Sequence, residues 1–471
     1  MKKVIAILLC IVFTLTIMSC AVSEEEIAPE YDSTVSGNID LLGKTFVYGM
    51  VASYFFEGSD STLGYINNTE FADLAAKRLN DVEQKYNCTI EVQYDSDVGK
   101  TAYYTVSTGD VLYDFIQYES YSLVNYALSG IFYDLASLEN MDALDEEKWG
   151  SRYLLSPMMW EGSLYGVLPA QHPLRVQNSP SGIIAINEQM VKTLGYEDPR
   201  DHFEGGTWTY DTFTDCLLNF AHTNMSGEKV YSFITSNDGW FYRSSTLSNG
   251  GDLVTINDDG TYDMGFYSPN VLVAFNQVYE WMTGPTGGNI MYCGSLDTED
   301  NLNNGNGVMA LIDAYQILSG TTSVAYNLED FGIVPFPAGP DVDAKTFRTS
   351  FESADFIIAI PISVDDPEQS ALILDAVYEP FEGYETRDSI IDYLSRNYFH
   401  DERDSEFFVS ITDTEHIFYF DFIHGIQGQA MGMHSNSKTP AEYLDSIRDK
   451  HQSLIEQYVL PQYKTMIELY D

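Results

Sequence analysis

The stretch KTFVYGM (residues 44–50) begins the alternation of segments that decides the fold. It is rich in β-branched and aromatic residues and predicts a strand. Apolar residues then recur with the 3.6-residue period of a helix over residues 69–86. TIEVQY (89–94) predicts a second strand and residues 111–117 a third, with a helix over 122–129 behind it. Strand and helix alternating in this way predict a wound α/β lobe with a largely parallel sheet.

The same alternation restarts after about residue 175, and 471 residues allow roughly two or three domains. The last ninety residues are expected to be mainly helical. In the second part of the chain we predict strands over 182–187, 331–340 and 353–361, a hairpin turn at 257–260, and helices over 188–194, 207–220, 269–282, 308–318 and 367–378.

Two groups of side chains directly follow strands of the first predicted sheet. Ligands of wound sheets bind outside the carboxyl ends of the strands. Tyr54 and Glu57 follow the first strand, and Tyr118 and Glu119 follow the third. The sequence therefore predicts that these four residues face one crevice.

The composition excludes several classes of function. The chain has 71 Asp and Glu against 23 Lys and Arg, a net charge of −48, yet 44% of its residues are hydrophobic and 14% aromatic. So much hydrophobic mass indicates a packed protein rather than a disordered acidic chain. Nucleic acid is not expected as a partner, because phosphate binding needs basic patches. The folded body is not expected to adhere to an anionic membrane surface for the same reason.

The N-terminus has the features of an export signal. Lys2 and Lys3 precede an apolar run over residues 4–18, which is too short to be interpreted first as a membrane-spanning helix. The run ends in Ile-Met-Ser-Cys at residues 17–20, which resembles the lipobox of bacterial lipoproteins. We therefore expect a signal peptide over 1–19, a diacylglyceryl group (two acyl chains, such as palmitate) on Cys20, and a polar tether over 20–42.

The sequence contains no recognisable motif of a catalytic or metal site. HExxH, GxSxG and CxxC are absent from the sequence, and Cys88, Cys216 and Cys293 are too widely spaced for a disulfide framework. The spacing of the histidines at 416, 424 and 434 is that of no known metal site. Neither an enzyme nor a cofactor or metal is therefore expected.

A series of short motifs follows in one order along residues 45–471. They are YDFI (113–116), SGIFYDL (129–135), LYGVLP (164–169), IAINE (184–188), TWTYDTF (207–213), GG (250–251), NGVMA (306–310) and FGIVPFPAGP (331–340). Each motif is weak, but their order resembles that of the extracellular solute-binding proteins (family 1) of sugar ABC transporters, the maltose-binding-protein-like family. Ile186 departs from the family, which usually has Tyr before the Asn.

The resemblance implies a two-lobed periplasmic-binding-protein fold of type II. Each lobe of this α/β fold is a wound sheet flanked by helices, and the C-terminal region is helical. The expected N-lobe comprises residues 43–180 and 328–378, and the expected C-lobe residues 181–327 and 379–471. The ligand is enclosed between the lobes.

The expected ligand contacts combine aromatic rings with carboxylates. A sugar presents apolar C–H faces to rings and hydroxyls to polar acceptors. The resemblance puts Tyr118 at a stacking position, Asp313 and Tyr315 on a ligand turn, and Trp240 in a further contact loop. With the acidic and aromatic residues of the predicted loops, the expected contacts are Tyr54, Glu57, Tyr118, Glu119, Trp240, Asp313, Tyr315 and Glu352.

The function that these features favour is capture and delivery of a carbohydrate. We expect a monomeric receptor, anchored through Cys20 on the extracellular or periplasmic side of the cell membrane. Closure about a hinge would hold an oligosaccharide, because the ligand contacts both lobes only in the closed form. The receptor would then pass it to the permease subunits of an ABC transporter. Three alternatives stay open: a binder of polyamines or other cationic solutes, a secreted carbohydrate-active enzyme, and a lipoprotein that senses or adheres.

Overall fold

The computed structural model describes residues 39–51, 61–178, 180–236, 238–252, 254–257, 260–294, 297–345, 349–351, 356–413, 415–416 and 438–470. The described elements lie in one compact unit, Leu41–Asp471. Among these residues, no helix combines the length and the apolar character that a membrane span requires. The expected signal peptide and Cys20 lie outside the described residues.

The strands of the described residues are numbered here in chain order. They are β1 (Lys44–Val51), β2 (Ser61–Thr62), β3 (Tyr65–Ile66), β4 (Cys88–Asp95), β5 (Phe115–Glu119), β6 (Met159–Trp160), β7 (Ser163–Leu164), β8 (Pro180–Ser181), β9 (Ile183–Asn187), β10 (His222–Thr223), β11 (Lys229–Thr235), β12 (Thr255–Ile256), β13 (Tyr262–Asp263), β14 (Ile290–Tyr292), β15 (Gly307–Ile312), β16 (Phe331–Pro335), β17 (Thr349–Phe351), β18 (Phe356–Ala359) and β19 (Glu415–His416).

The helices of the described residues are numbered in the same way. They are α1 (Glu70–Tyr86), α2 (Val98–Thr108), α3 (Ser120–Leu128), α4 (Glu146–Trp149), α5 (Arg152–Leu155), α6 (Pro173–Asn178), α7 (Glu188–Leu194), α8 (Pro199–Glu204), α9 (Tyr210–Asn219), α10 (Asp238–Ser248), α11 (Pro269–Thr283), α12 (Thr298–Asn303), α13 (Ala314–Leu318), α14 (Val324–Asn327), α15 (Pro367–Val377), α16 (Arg387–Tyr398), α17 (Glu402–Asp413), α18 (Pro440–Leu454) and α19 (Leu460–Tyr470).

The first sheet has the strand order β18-β5-β1-β4. β1 pairs in parallel with β4 and β5, and β18 closes the edge antiparallel to β5. Helix α1 begins where the hydroxyl of Thr69 accepts a hydrogen bond from the N–H of Ala72, and it ends at Asn87, whose φ is 49°. The prediction of a wound, largely parallel sheet is confirmed.

The second sheet has the strand order β10-β11-β15-β9-β16, with β14 pairing to β11. β15 runs parallel to β11 and antiparallel to β9, so the sheet is mixed. Trp208 is fully buried in the core of this part of the molecule, and its indole N–H donates to the carbonyl of Pro335 at 2.8 Å. Trp149 and Trp281 are also buried, whereas Trp160 is half-buried.

Three short segments form a separate sheet where the chain passes between the two large ones. β8 precedes β9, and β17 follows β16 and leads into β18; β17 pairs with both β8 and β19. We call β8, β17 and β19 the crossing strands. The chain leaves the first sheet for the second through β8, and it later returns through β17 to complete the first sheet.

Two predicted elements differ from the observed ones. The helix expected over 308–318 is strand β15 followed by α13, and every residue of β15 is buried. A run that is apolar on both faces has no periodicity to separate strand from helix. The third strand begins at Phe115 rather than at Val111. Residues 98–108 form α2, and the apolar pair Val111 and Leu112 that follows this helix is exposed instead of packed in the sheet.

The expected division into lobes also differs from the strand pairing at one point. Residues 328–378 were assigned to the first lobe, but β16 pairs with β9 in the second sheet. The chain returns to the first sheet only at β18, about thirty residues later than the expected boundary at 328.

Candidate functional site

Both large sheets turn the carboxyl ends of their parallel strands toward the crossing strands. In the first sheet Glu119, the last residue of β5, lies opposite Phe356, which β17 leads into. In the second sheet Ile312, the last residue of β15, lies opposite Ile183, which directly follows β8. The edges that bind ligands in wound sheets therefore lie at the crossing strands.

Tyr118 and Glu119 occupy this edge of the first sheet. The hydroxyl of Tyr118 donates to Oδ1 of Asp97 at 2.9 Å, and only 7% of the residue is exposed. Burial, together with the nearby carboxylates of Asp97 and Glu119, raises the pKa of Tyr118, which therefore stays protonated. Glu119 is half-buried. Tyr118 therefore offers a ligand little ring surface, whereas Glu119 is partly exposed.

Trp240 lies in the first turn of α10, just beyond the carboxyl end of β11. Its ring is half-buried, and the guanidinium carbon of Arg243 lies 4.3 Å from the ring centroid. Helix α10 packs against the crossing strand β17. The guanidinium of Arg243 lies against one face of the indole and holds the ring in place, and the helix that carries both residues lies at the crossing strand β17.

Asp313 is held by backbone groups rather than left open for a ligand. It follows β15 and caps α13 in a capping box with Gln316. Its Oδ1 also accepts a hydrogen bond of 3.3 Å from the N–H of Gly182, between β8 and β9. Only 8% of Asp313 is exposed, whereas Tyr315, in the first turn of α13, is half-buried.

A buried acid that the sequence did not indicate lies behind this turn. The side-chain amide of Gln316 donates to Glu299 of α12 in a short hydrogen bond. Burial and, to a smaller extent, the negative charges of Asp300 and Asp313 raise the pKa of Glu299 to about 7. Asp313, Gln316 and Glu299 thus form one buried polar network that ends at the crossing strand β8.

Three expected site residues, Tyr54, Glu57 and Glu352, lie outside the described residues. Asp97 and Arg243 were missed. A signal for Asp97 existed, because it follows β4 just as Glu119 ends β5, and the rule for carboxyl ends applies to both strands. Arg243 gave no signal, since its contact with Trp240 depends on the helix that the two residues share.

One group of acids brings carboxylate oxygens close enough to hold a metal ion. These oxygens of Glu188, Asp401 and Asp404 lie within 4.8 Å of one another. The guanidinium of Arg200 lies among them, 2.6 Å from Glu188 and 2.7 Å from Asp404. Arg200 is 1% exposed, so its charge neutralises the cluster from within.

A pocket of about 570 Å³ opens elsewhere in the second half of the fold, at the β12–β13 hairpin and the start of α11. Asp252, Asp263, Tyr267 and Asn270 are among its lining residues. None of the expected ligand contacts lines it.

Comparisons with known proteins agree with this topology. No protein-family model and no curated protein sequence matches the chain. The GacH receptor of Streptomyces glaucescens, solved unliganded and with acarbose, has a TM-score of 0.61 and 12% identity, over 88% of this chain and 100% of that chain. UgpB from Mycobacterium tuberculosis, in complex with glycerophosphocholine, has a TM-score of 0.59 and 15% identity, over 90% and 100%.

An ABC substrate-binding protein from Listeria monocytogenes, in complex with cycloalternan, has a TM-score of 0.57 and 13% identity, over 88% of this chain and 99% of that chain. The chain therefore has the periplasmic-binding-protein fold of ABC transporter solute-binding proteins, and the predicted fold is confirmed. GacH is named as a receptor and the Listeria protein as a substrate-binding protein, and none of the three neighbours is named as an enzyme. Identities of 12–15% relate the chain to them by fold.

Proposed function

We propose that this protein is a lipid-anchored, extracellular solute-binding protein that captures a carbohydrate between two lobes and delivers it to an ABC permease. One observation carries the proposal. The ligand-binding edges of both sheets lie at the crossing strands, and a carboxylate (Glu119), an indole (Trp240) and a phenol (Tyr315) occur there. Rings and carboxylates are the groups that a sugar requires.

Hinge closure is the mechanism that this arrangement supports. The chain passes between the two sheets through the short strands β8 and β17, so a rotation of one sheet against the other needs dihedral changes in few residues. A ligand that contacts Glu119 on one side and Trp240 or Tyr315 on the other favours the closed form by the energy of those added contacts. The structural neighbours in complex with acarbose and cycloalternan favour an oligosaccharide as ligand.

A ligand screen tests the proposal. The purified protein is heated with neutral mono- and oligosaccharides, with spermidine, and with glycerophosphocholine, and the unfolding temperature is measured. A ligand that binds only the folded state raises this temperature by mass action. We expect a rise with an oligosaccharide that is recovered unchanged. Cleavage of the sugar would contradict a binding protein, and a rise with spermidine or glycerophosphocholine alone would contradict a carbohydrate ligand.

The lipid anchor needs a separate test. We expect bacterial cells that express the full chain to incorporate a labelled fatty acid into the protein, and a Cys20→Ser variant to remain unlabelled and leave the membrane fraction. Labelling of the variant would show that Cys20 is not the modified residue.

A further inference from the structure

Four tyrosine rings form a row that leads away from the carboxyl end of β5. The ring centroids of Tyr118 and Tyr126 are 6.4 Å apart, those of Tyr126 and Tyr103 5.9 Å, and those of Tyr103 and Tyr104 5.9 Å. Exposure increases along the row, from 7% for Tyr118 through the half-buried Tyr126 to 38% for Tyr103 and 58% for Tyr104. The row therefore begins beside Glu119 and ends on the open surface of α2.

Gly99 allows this row to lie directly against the backbone of α2. A Cβ atom at this position would approach Tyr118 to 2.6 Å and Tyr126 to 2.8 Å. Any larger residue at position 99 would push both rings outward. The glycine thus keeps the inner rings of the row in contact with each other and with the helix.

The two helices that carry the row have almost no charge. Helices α2 and α3 contain 20 residues and one charged side chain, Lys100, which lies 3.9 Å from Asp97. In the whole chain 20% of residues are charged, and the net charge is −48. The carboxylates beside the row, those of Asp97 and Glu119, lie at its inner end. The two helices themselves contain no acidic residue, and an aromatic face without carboxylates suits a neutral ligand better than a polyamine.

We propose that Tyr103, Tyr104 and Tyr126 bind the outer units of a neutral oligosaccharide whose inner units are held at the crossing strands. This inference rests on the proposed function and extends it to the class and length of the ligand. The apolar faces of the sugar units stack on the rings, and their hydroxyls meet the phenolic groups. Since the row is continuous with Glu119, one extended ligand reaches both regions.

The test compares short and long ligands. Binding of malto-, cello-, xylo- and manno-oligosaccharides of two and six units is measured by calorimetry, for the wild type and the double variant Tyr103→Ala/Tyr104→Ala. In at least one series we expect the wild type to bind six units about tenfold more tightly than two units. The double variant should lose this advantage, bind two units with unchanged affinity, and unfold at the wild-type temperature.

The control and the contrary outcomes separate this inference from the proposed function. Tyr326→Ala removes another exposed tyrosine, 71% exposed on α14, and should change neither affinity. Six units bound equally well by the wild type and the double variant would overturn the outer site alone. A wild type that binds no member of any series would overturn the outer site and the carbohydrate function together. Self-association that the double variant abolishes would make the tyrosine face a protein interface and overturn the inference.

Discussion

Oδ1 of Asp313 accepts a hydrogen bond from the backbone N–H of Gly182, which precedes it by 131 positions in the chain. Asp313 begins the helix after β15, and Gly182 lies between a crossing strand and the second sheet. The bond ties the turn that carries Tyr315 to the residue that joins β8 to β9. A residue expected to touch the ligand therefore holds the protein's own backbone.

Asp313→Ala is expected to lower the free energy of unfolding by about 1–3 kcal/mol, because it removes a helix cap and leaves the buried N–H of Gly182 without its acceptor. Urea unfolding measures the loss. Asp366→Ala is the matched control, since Asp366 caps α15, which packs against α1, by accepting from the N–H of Gln369; it should cost about 1 kcal/mol. Unchanged stability with complete loss of ligand binding would make Asp313 a direct ligand contact instead.

Glu299 should make the stability of the protein depend on pH. Its pKa in the folded protein is about 7 against a usual 4.5, so between these values the folded state binds the proton that the unfolded state has lost. The contribution of Glu299 to stability is therefore greatest below pH 4.5 and declines as the pH rises toward 7.

Glu299→Gln cannot lose this proton, and its amide oxygen can still accept from Gln316. Compared with the wild type, the variant should gain on the order of 1–3 kcal/mol in unfolding free energy between pH 5 and pH 8. Urea unfolding across this range measures the difference. A difference that stays constant with pH would show that Glu299 is ionised in the folded protein at pH 5.

The Arg200 cluster should be a major source of stability. Asp404 accepts from the N–H of Ile333 and from Arg200, and burial raises its pKa to about 6 against the opposing effect of the guanidinium. Arg200→Met would leave the buried acids uncompensated and is expected to cost about 3–5 kcal/mol. Arg396→Ala removes an exposed arginine that pairs with Asp392 and should cost less than about 1 kcal/mol. Urea unfolding measures both losses in unfolding free energy. Equal losses for Arg200→Met and Arg396→Ala would show that the Arg200 cluster is not a major source of stability.

Gly332→Ala tests the Arg200 cluster by displacing the arginine instead of removing it. A Cβ atom at Gly332 would lie 2.5 Å from the guanidinium of Arg200, so the arginine would have to leave its partners. The expected loss in unfolding free energy is about 2–4 kcal/mol. In the Arg200→Met background the same substitution should cost much less, because the guanidinium is no longer there; additive effects would contradict this coupling.

Trp240→Ala should weaken ligand binding at least tenfold, because the indole at the crossing strands supplies a stacking surface. Tyr315→Ala should do the same. Trp160→Ala is the matched control, since Trp160, on β6, is also half-buried and its ring packs against that of Tyr458. Calorimetry with the ligand found in the screen measures the three affinities. Equal losses of affinity in Trp160→Ala and Trp240→Ala would show that the ligand does not bind at Trp240.

The parts of the fold that sequence could predict are those with a local signal. β1 and β4 are rich in β-branched and aromatic residues, and the apolar residues of α1 recur with the helical period. β15 could not be separated from a helix, because burial on both faces removes the period. The assignment of β16 to the second sheet depends on its pairing with β9, some 145 residues earlier in the chain, and no local pattern carries that information.

The protein contacts of the expected site residues could not be predicted, for a physical reason. Sequence position correctly put Glu119 at the end of a strand, but it could not show that Tyr118 and Asp313 already have protein partners. Those partners, Asp97 and Gly182, come from other elements, and the bonds exist only after the strands have assembled. Residue type indicates what a side chain is able to bind, whereas packing decides which groups it binds.

The crossing strands also impose an order on folding during synthesis. The first sheet needs β18, which follows β5 by about 240 residues, while all strands of the second sheet lie between them. The second sheet is therefore the first that a growing chain can complete, and β5 keeps an unpaired edge until β18 is made. Such distant pairing is slow, because a long loop must close before the contacts form. Removing the chain after residue 345 would thus leave the earlier sheet, and not the later one, incomplete.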